Sequence, residues 1–352
     1  MTGYKIKFSG IDRLFNAYSW RLTRRAKAAW KSGQVLEGQY LTQLEKEVAK
    51  KYGREYAVGV GSATDGLYFA MKALGLGKDS TVMCPVLSYA ATSGAIERLG
   101  ATIQFIDTDA MGLIGDLQYK EIPDAVLYVN LYGNCADYDR LLTYCRNNKI
   151  PLIEDAAQSQ GAIYNRVPSG AMGDISVFSF DPMKNMPCFG NGGMVLTDNK
   201  DTYESLKRLR KGQPQRKYKS VIGEDHCNQL LLLLGKFNKL QKMRKSIYER
   251  YKNNLPEIDF LVDGKGKPSY HKLVFLTDNR NELQKYLDDN GIETKIHYAE
   301  ILDQTKIGLY TYPNAENICK KALSLPIYPY LTNKEIDYIC ERINKFYDIK
   351  KF

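Results

Sequence analysis

Short β-rich runs alternate with amphipathic helical patterns from about residue 40 onward. The runs are YAVGVGS, TVMCPV, TIQFIDTD, AVLYVNLYG, PLIEDAA, ISVFSF and GGMVLTD, and the helical patterns include LTQLEKEVAKKYG and DGLYFAMKALGLG. This alternation is typical of strand–helix units repeated around a largely parallel sheet with helices on both faces. We therefore predict an α/β fold in which ligands collect at the carboxyl ends of the strands.

The pattern changes after Gly223. The segment NQLLLLLGKFNKLQKMRKSIYERYKNNL predicts a long helix, and about a hundred residues of mixed strand and helix patterns follow it. We expect a large α/β domain with an N-terminal helical segment over 1–240 and a smaller α+β domain over 241–352. A chain of 352 residues that is 44% hydrophobic can form both cores.

Composition excludes several classes of protein. No apolar run approaches the roughly 20 residues of a membrane span, and the N-terminus MTGYKIKF lacks a signal-peptide hydrophobic stretch. We therefore expect a cytoplasmic protein. Seven cysteines without CxxC pairs and only three histidines favour buried reduced thiols over a disulfide framework or a metal site.

The formal net charge of +10 permits a nucleic-acid hypothesis, but the basic residues are dispersed and no groove-reading motif is present. The densest run, KRLRKGQPQRKYK at 207–219, lies in a predicted loop. Either it forms a solvated face, or some of its cations meet the phosphates of an anionic ligand such as a nucleotide diphosphate. The cations concerned are Arg208, Arg210, Lys211, Arg216, Lys217 and Lys219.

Four motifs fall at predicted strand ends, and the first is GSATDGL. Gly61 to Thr64 form a tight turn before a helix, where free backbone N–H groups and the positive helix end can hold a phosphate. The hydroxyl of Thr64 or Ser62 would assist. Small residues also cap many helices, so this motif alone leaves both interpretations open.

Two further strand ends carry an aromatic and an acidic residue. Tyr89 in CPVLSYAAT either stacks on a planar ring or packs in the core. In LIEDAAQ an apolar strand ends in Glu154 and Asp155. A buried carboxylate needs a cationic or hydrogen-bonding partner, so Asp155 either faces a cationic partner or caps the following helix.

The fourth motif, SFDPMKN, places Ser179 five residues before Lys184. In an extended or turned segment, this spacing lets the hydroxyl reach a phosphate while the amine reaches an aldehyde. Phosphate, planar ring, protonatable ring nitrogen and aldehyde are the parts of pyridoxal phosphate. The four motifs together therefore predict a pyridoxal-phosphate site with Lys184 as its reactive amine.

The chain also resembles the DegT/DnrJ/StrS-type nucleotide-sugar aminotransferases, which are pyridoxal-phosphate enzymes of fold-type I. The resemblance runs from about Gly33 to the C-terminus and includes, in order, SGQVLEGQYLTQLEKEVAKKYG, GSATDGL, IEDAAQSQGA, GAMGDISVFSFDPMKN, GNGG, GIETKIHY and AENICKKALSLPIYPYL. It implies an aspartate-aminotransferase-like fold, with a mostly parallel central sheet flanked by helices and a smaller C-terminal α+β domain.

The resemblance also implies roles for individual residues. Lys184 corresponds to the Schiff-base lysine, Asp155 to the carboxylate that keeps the pyridine nitrogen protonated, and Tyr89 to the aromatic that stacks on the ring. Because related sugar dehydratases have histidine in place of this lysine, transamination is favoured. The other implied contacts are Gln158 at the ring hydroxyl, Ala63, Thr64 and Ser179 at the phosphate, and His297 and Tyr298 at the substrate. For His297, a hydrogen bond inside the small domain is the alternative.

Some positions depart from the family pattern. Ala63 replaces the commoner glycine before Thr64, and Asn191 stands where an acidic residue often precedes the paired glycines. Family members commonly place an asparagine near GEDHCNQ that reaches the neighbouring subunit's cofactor phosphate. A simple alignment puts Asp225 there, but a carboxylate would repel the phosphate, so we predict Asn228 instead. A homodimer with shared active sites is implied.

The resemblance implies that L-glutamate donates the amino group, leaving pyridoxamine phosphate, and that the acceptor is a nucleotide-linked keto-6-deoxyhexose. We expect amination at C4, giving a dTDP- or UDP-linked 4-amino-4,6-dideoxy sugar for glycan biosynthesis. Amination at C3 is the alternative, because no motif reports how the sugar lies against the cofactor. A non-catalytic regulator with the same fold is a further alternative, which intact Lys184, Asp155 and Ser179 disfavour.

Overall fold

A computed structural model describes residues 3–117, 121–214, 219–262, 265–304 and 311–350. The helices in this part of the chain are α1 Ile11–Lys31, α2 Gln39–Tyr52, α3 Ala63–Ala73, α4 Ala91–Leu99, α5 Tyr138–Asn148, α6 Lys200–Arg210, α7 Glu224–Leu234, α8 Phe237–Asn254, α9 Arg280–Asp289, α10 Pro313–Lys321 and α11 Asn333–Lys350. The strands are β1 Tyr56–Val60, β2 Thr81–Pro85, β3 Thr102–Ile106, β4 Ala125–Val129, β5 Leu152–Asp155, β6 Ile163–Tyr164, β7 Val167–Pro168, β8 Ile175–Ser179, β9 Gly193–Thr197, β10 Leu273–Leu276 and β11 Ala322–Leu325.

The central sheet has seven strands in the order β1-β9-β8-β5-β4-β2-β3. The neighbours from β8 through β5, β4 and β2 to β3 pair in parallel, whereas β9 runs antiparallel to both β1 and β8. In this sheet every strand except β9 therefore points the same way, and the carboxyl ends of these six strands form one edge of the sheet. The predicted, largely parallel α/β sheet is confirmed, and all four strand-end motifs follow strands that end at this edge.

Hydrophobic packing covers both faces of the sheet. β4 and β8 are buried along their whole length, which is typical of strands with helices on both sides. Successive residues of β8 show the alternation, because Val177 belongs to the core cluster with Leu67 of α3, whereas Phe178 belongs to the cluster with Leu44 of α2. The sheet is therefore a rigid base for side chains at its edge.

A third hydrophobic cluster forms the core of the C-terminal region. It joins residues of α8, α9 and α11 to the antiparallel pair β10–β11. Ile6, from the start of the chain, is also buried in this cluster, and its backbone N–H donates to the carbonyl of Gly291 at 2.9 Å. The boundary at residue 240 stays a prediction.

Two local predictions are wrong. The segment predicted as one long helix is two helices, because the chain turns at Gly235 and Lys236, and the Lys236 N–H donates to the carbonyl of Leu233, three residues back. Glycine lowers helix stability by about 1 kcal/mol relative to alanine, which favours a break there.

The basic run at 207–219 is not all loop either, since α6 extends to Arg210. Arg210 is buried and forms an ion pair with Glu45 at 2.5 Å.

All seven cysteines are buried and unpaired, as predicted. Of the helices that the structure describes, none combines the length and the apolar character needed to cross a membrane.

Candidate active site

The carboxyl edge of the sheet opens into a cleft of about 430 Å³. Every site residue predicted from the sequence lines it except Asn228. The lining in the described part of the chain comprises Ser62, Ala63, Thr64, Leu67, Ser88, Tyr89, Ala91, Thr92, Asp155, Ala157, Gln158, Ser179, Asp181, Met183, Lys184, Asn191, Gly192, Lys272, His297 and Tyr298. Residues from four strand ends and from the C-terminal region thus meet in one place.

One end of the cleft is formed by the start of α3. Ser62 caps this helix, and its hydroxyl accepts the N–H of Asp65 at 3.1 Å. The N–H groups of Ala63 and Thr64 belong to the first helical turn, where backbone donors have no partner within the helix. Gly193 passes so close that a Cβ there would lie 2.8 Å from the Ala63 nitrogen. These donors and this close glycine form a cradle suited to a phosphate.

Aromatic side chains border the cleft above this cradle. The Tyr89 ring is 60% exposed, which excludes the interpretation of Tyr89 as a core residue. Its centroid lies 6.3 Å from that of Tyr298. Gln158 accepts the N–H of Tyr132 at 3.1 Å and donates to the Tyr298 hydroxyl at 3.0 Å. Since an amide nitrogen carries two hydrogens, Gln158 retains one donor for a ligand.

Asp155 is buried at the end of β5. One carboxylate oxygen accepts the N–H of Ala157 at 3.1 Å, and the other accepts the Thr92 hydroxyl at 3.1 Å. Burial raises the pKa of the Asp155 carboxyl, whereas the Ala157 N–H, the Lys184 charge and the Thr92 hydroxyl oppose this shift. The described residues that follow β5 form a turn rather than a helix, so the helix-cap alternative for Asp155 is wrong. Its carboxylate closes this turn and faces the cleft. A cation beside it would relieve the cost of burying its charge.

Glu154, the neighbour of Asp155, has a different environment. It is fully buried and accepts hydrogen bonds from the hydroxyls of Ser169 and Ser176 and from the N–H groups of Gly170 and Met172. A carboxylate whose oxygens are satisfied by the surrounding fold is a structural group. Of the two adjacent acids in LIEDAAQ, only Asp155 lines the cleft.

Lys184 lies in the loop after β8, partly buried, with its amine in the same cleft as Asp155. Its backbone N–H donates to the carbonyl of Asp181 at 2.9 Å, which holds the loop in a turn. Burial lowers the pKa of the Lys184 amine, and the charges of Asp155 and Asp181 partly offset this shift. A lowered pKa increases the neutral fraction, which is the nucleophilic form. Ser179, at the end of β8, is also buried against the cleft.

The C-terminal region contributes His297 and Tyr298. The imidazole Nδ1 of His297 lies 2.9 Å from the Ser324 hydroxyl oxygen. Burial lowers the pKa of His297 to about 2, with further lowering by Lys272, Lys184 and Lys295. His297 is therefore neutral at physiological pH, so it offers a substrate hydrogen bonds but no charge. It makes an internal hydrogen bond and also lines the cleft.

Asn228 and Asp225 lie outside this cleft, on α7. The Asn228 side chain accepts from the Arg25 guanidinium at 2.8 Å and donates to the Arg25 carbonyl at 2.9 Å. Asp225 accepts from the indole N–H of Trp30 at 3.2 Å. The role of Asn228 at a neighbouring subunit stays a prediction.

The basic run contributes no lining residue from its described part. Lys211 and Lys219 lie 3.9 and 3.7 Å from carboxylate oxygens of Glu37, away from the cleft. Arg216 and Lys217 lie outside the described residues.

Sequence reasoning missed several groups that the fold brings here. Thr92 follows Tyr89 by three residues, and its hydroxyl lies between Asp155 and Ser88. Asp181 and Lys272 also line the cleft. In the sequence, Lys272 stands directly before the apolar run LVFL. No local pattern links it to Lys184, which lies nearly 90 residues earlier.

The residues present fit pyridoxal phosphate. The α3 cradle and Ser179 suit its phosphate, and the buried Asp155 suits a protonated ring nitrogen. The Tyr89 ring is free to lie against the cofactor ring, and Lys184 suits the aldehyde. Among the described residues, no group of His, Cys, Asp or Glu side chains is arranged to hold a metal ion.

Comparisons with known proteins agree with this arrangement. The sequence profile of the DegT/DnrJ/EryC1/StrS aminotransferase family matches residues 20–344. The chain is 31% identical to the dTDP-3-amino-3,4,6-trideoxy-alpha-D-glucose transaminase of Streptomyces venezuelae, covering 90% of this chain and 89% of the relative. It is 30% identical to the GDP-perosamine synthase of Escherichia coli O157:H7, and the match covers 89% of this chain and 92% of that relative. The crystal structure of S. venezuelae DesV in complex with a ketimine intermediate superposes with a TM-score of 0.91 at 28% identity. The superposition covers 97% of this chain and 98% of DesV.

Proposed function

The chain belongs to the DegT/DnrJ/EryC1/StrS aminotransferase family, and from this premise we propose that it transfers an amino group from L-glutamate to a nucleotide-linked keto-6-deoxyhexose. It is a pyridoxal-phosphate-dependent nucleotide-sugar aminotransferase with the fold-type I architecture. The observation that carries the proposal is the convergence of Lys184, Asp155 and the α3 cradle in one cleft.

When bound, pyridoxal phosphate supplies an aldehyde that carries the amino group and an electron sink for the carbanion formed at the substrate carbon. In this proposal, Lys184 holds the cofactor and then, as a free amine, moves a proton at the substrate carbon. Its lowered pKa suits this work because the neutral amine accepts a proton and the ammonium returns it. Asp155 stabilises a proton on the ring nitrogen, and the Thr92 hydroxyl and the Ala157 N–H orient the carboxylate.

We propose amination at C4, giving a dTDP- or UDP-linked 4-amino-4,6-dideoxy sugar, with C3 amination as the alternative. Enzymes of 3-amino and of 4-amino sugars both occur among the relatives. The position depends on which sugar carbon faces Lys184. We further propose a cytoplasmic location, where nucleotide sugars and glutamate are available. A non-catalytic regulator would not require Lys184, Asp155 and Ser179 to be retained together.

Product identification tests the function. The purified enzyme is incubated with ¹⁵N-labelled glutamate and with matched 3-keto and 4-keto nucleotide sugars on dTDP, UDP and GDP. We expect NMR to show the label on C4 of a 6-deoxyhexose. Label on C3 would support the alternative, and no transfer to any nucleotide sugar would refute the proposed reaction. The same incubation with the Lys184→Ala variant is the control.

We also propose a homodimer with shared active sites. Four large apolar side chains of α1 and the segment after it are exposed: Trp20 by 68%, Trp30 by 55%, Val35 by 51% and Leu36 by 44%. A second copy would remove this surface from water. Asn228 lies on α7, which packs against α1. In the proposed dimer, this asparagine reaches the partner's cofactor phosphate.

Subunit mixing tests the shared site. Lys184→Ala and Asn228→Asp are each expected to inactivate the homodimer, the second because a carboxylate repels a phosphate. Co-expression with two different affinity tags yields hybrid dimers, in which one site has both an intact Lys184 and an intact Asn228. We expect the mixture to recover about one quarter of the wild-type activity, because hybrids form about half of a random mixture and each has one intact site. Hybrids without activity would refute the sharing.

A further inference from the structure

Lys272 is a second lysine of the cleft to which the reaction so far gives no role. It immediately precedes β10, and its backbone N–H donates to the carbonyl of Tyr132 at 3.0 Å. Its side chain is 6% exposed, and its ammonium lies 5.0 Å from the centroid of the Phe8 ring. The position is thus fixed both by the backbone and by packing.

Lys272 borders two cavities that share lining residues. It lines the main cleft with Lys184 and Asp155, and it lines a cavity of about 40 Å³ together with Lys184, Arg244 and Tyr328. Lys272 is buried, whereas Tyr89 in the same lining is exposed. Lys272 therefore shares the lining of both cavities with Lys184, at which the donor would react.

The charge of Lys272 has no direct counter-ion within the described residues. None of the ion pairs found there includes Lys272, whereas the nearby Lys295 pairs with Glu293 at 2.8 Å. Arg244 is buried too, and its guanidinium donates to the carbonyls of Ile327 and Tyr270. Burial lowers the pKa of Lys272 to about 7, with further lowering by Lys184, Arg244 and Lys295 and an opposing effect of Asp181. The charged form thus carries a penalty that a bound anion would remove.

The chemistry of the amino donor indicates which anion this is. An α-amino acid carries a carboxylate on the carbon that bears the reacting nitrogen, so the carboxylate must lie within a few ångströms of the site of Lys184. Asp155 and Asp181, the acidic residues of the described lining, would repel it. The Lys184 amine is assigned first to holding the cofactor and then to moving the proton at the substrate carbon. Among the described lining residues, Lys272 is the remaining cation.

We infer that Lys272 is a substrate-binding residue whose ammonium binds a carboxylate of the amino-acid donor as that donor reacts at Lys184. The inference rests on the proposed transamination and adds a donor subsite to it. It assigns the two lysines different tasks, with Lys184 reacting covalently and Lys272 binding by charge. A charge-assisted hydrogen bond of this kind changes affinity by roughly 10- to 100-fold.

The glutamate half-reaction tests the inference without any sugar. Holoenzyme is mixed with glutamate under single-turnover conditions, and the absorbance of the bound cofactor is followed. For Lys272→Met we expect the half-saturating glutamate concentration to rise roughly 10- to 100-fold, with the maximal rate within about 5-fold of wild type. Lys272→Arg should restore most of the affinity because it keeps the charge. Lys295→Met, which removes a neighbouring lysine that is already paired, should behave as wild type.

Glutarate provides a second readout that does not depend on turnover, because it has the carboxylates of glutamate but no amine. Calorimetric titration of the holoenzymes should show roughly 10- to 100-fold weaker glutarate binding by Lys272→Met and near-normal binding by Lys272→Arg. Cofactor absorbance confirms that each variant is folded. Three results would overturn the inference. Lys272→Met could leave the glutamate and glutarate affinities unchanged, or its effect could be confined to the KM for the keto-sugar. The third is that Lys272→Arg binds as weakly as Lys272→Met. If wild type fails to react with glutamate, the proposed function fails, and glutarate binding still decides the role of Lys272.

Discussion

Lys184→Ala is expected to lower turnover by at least about 10⁴-fold, because one side chain both holds the cofactor and moves the proton at the substrate carbon. The amine lies in the cleft beside Asp155, with a pKa lowered by burial. Alanine removes the nucleophile and the acid–base group together. The measurement is the rate of labelled amino transfer from glutamate, with cofactor binding followed separately by absorbance.

The control for this variant is Lys245→Ala. Lys245 is on the exposed side of α8 and forms an ion pair with Glu249 at 3.3 Å, so its removal should leave the rate unchanged. Borohydride reduction of wild type followed by peptide mapping gives an independent check. Since two lysines line the described cleft, a label on Lys272 instead of Lys184, or continued turnover in Lys184→Ala, would contradict the assignment.

Asp155→Asn is the second prediction with a large expected effect. Asparagine keeps the shape and can still accept the Ala157 N–H, but it cannot offset a positive ring nitrogen. Removing one partner of a buried charge pair costs about 3 to 5 kcal/mol, or roughly 10²- to 5 × 10³-fold in rate if the whole loss falls on the transition state. We expect kcat to fall by this amount while the phosphate cradle still binds the cofactor.

Thr92→Val is the matched control for Asp155→Asn. It removes the hydroxyl that donates to Asp155 at 3.1 Å and leaves the carboxylate in place. One hydrogen bond contributes about 0.5 to 1.5 kcal/mol, or up to roughly 10-fold in rate, so the loss should be far smaller than in Asp155→Asn. Equal losses in the two variants would show that packing, rather than charge, is what Asp155 provides. Activity of Asp155→Asn within about 5-fold of wild type would also contradict its role.

Much of the fold could be predicted from local patterns. The alternation of strands and helices predicted the parallel sheet. The local hydrophobic pattern of each run is enough to distinguish a strand from a helix, and the order of these elements indicates the type of sheet. The break at Gly235 was missed, since the apolar residues on both sides continue a helical pattern and only the turn at Lys236 separates α7 from α8. Arg210 in α6 was assigned to a loop because its partner Glu45 lies 165 residues earlier in the chain.

The candidate site could be predicted where its residues stand in recognisable motifs. GSATDGL, LIEDAAQ and SFDPMKN each place a functional side chain directly after a strand, and strands of one direction bring their carboxyl ends to one edge. Lys272 stands in no such motif, and Thr92 ends the motif CPVLSYAAT, in which only Tyr89 was singled out. They became candidates only because β10 and α4 carry them to the same edge.

The sequence alone determined which chemical groups the chain contains and at which strand ends they stand: the Lys184 amine, the Asp155 carboxylate and the small residues before α3. The tertiary structure decided which of two adjacent acids faces the cleft. Glu154 is surrounded by hydroxyl and N–H donors of the fold, whereas Asp155 accepts from Thr92 and Ala157 and also lines the cleft. It also decided that Lys272 is buried near Lys184 without a direct counter-ion among the described residues. The physical reason is that charge interactions and burial depend on distances through space, and these distances exist only after folding.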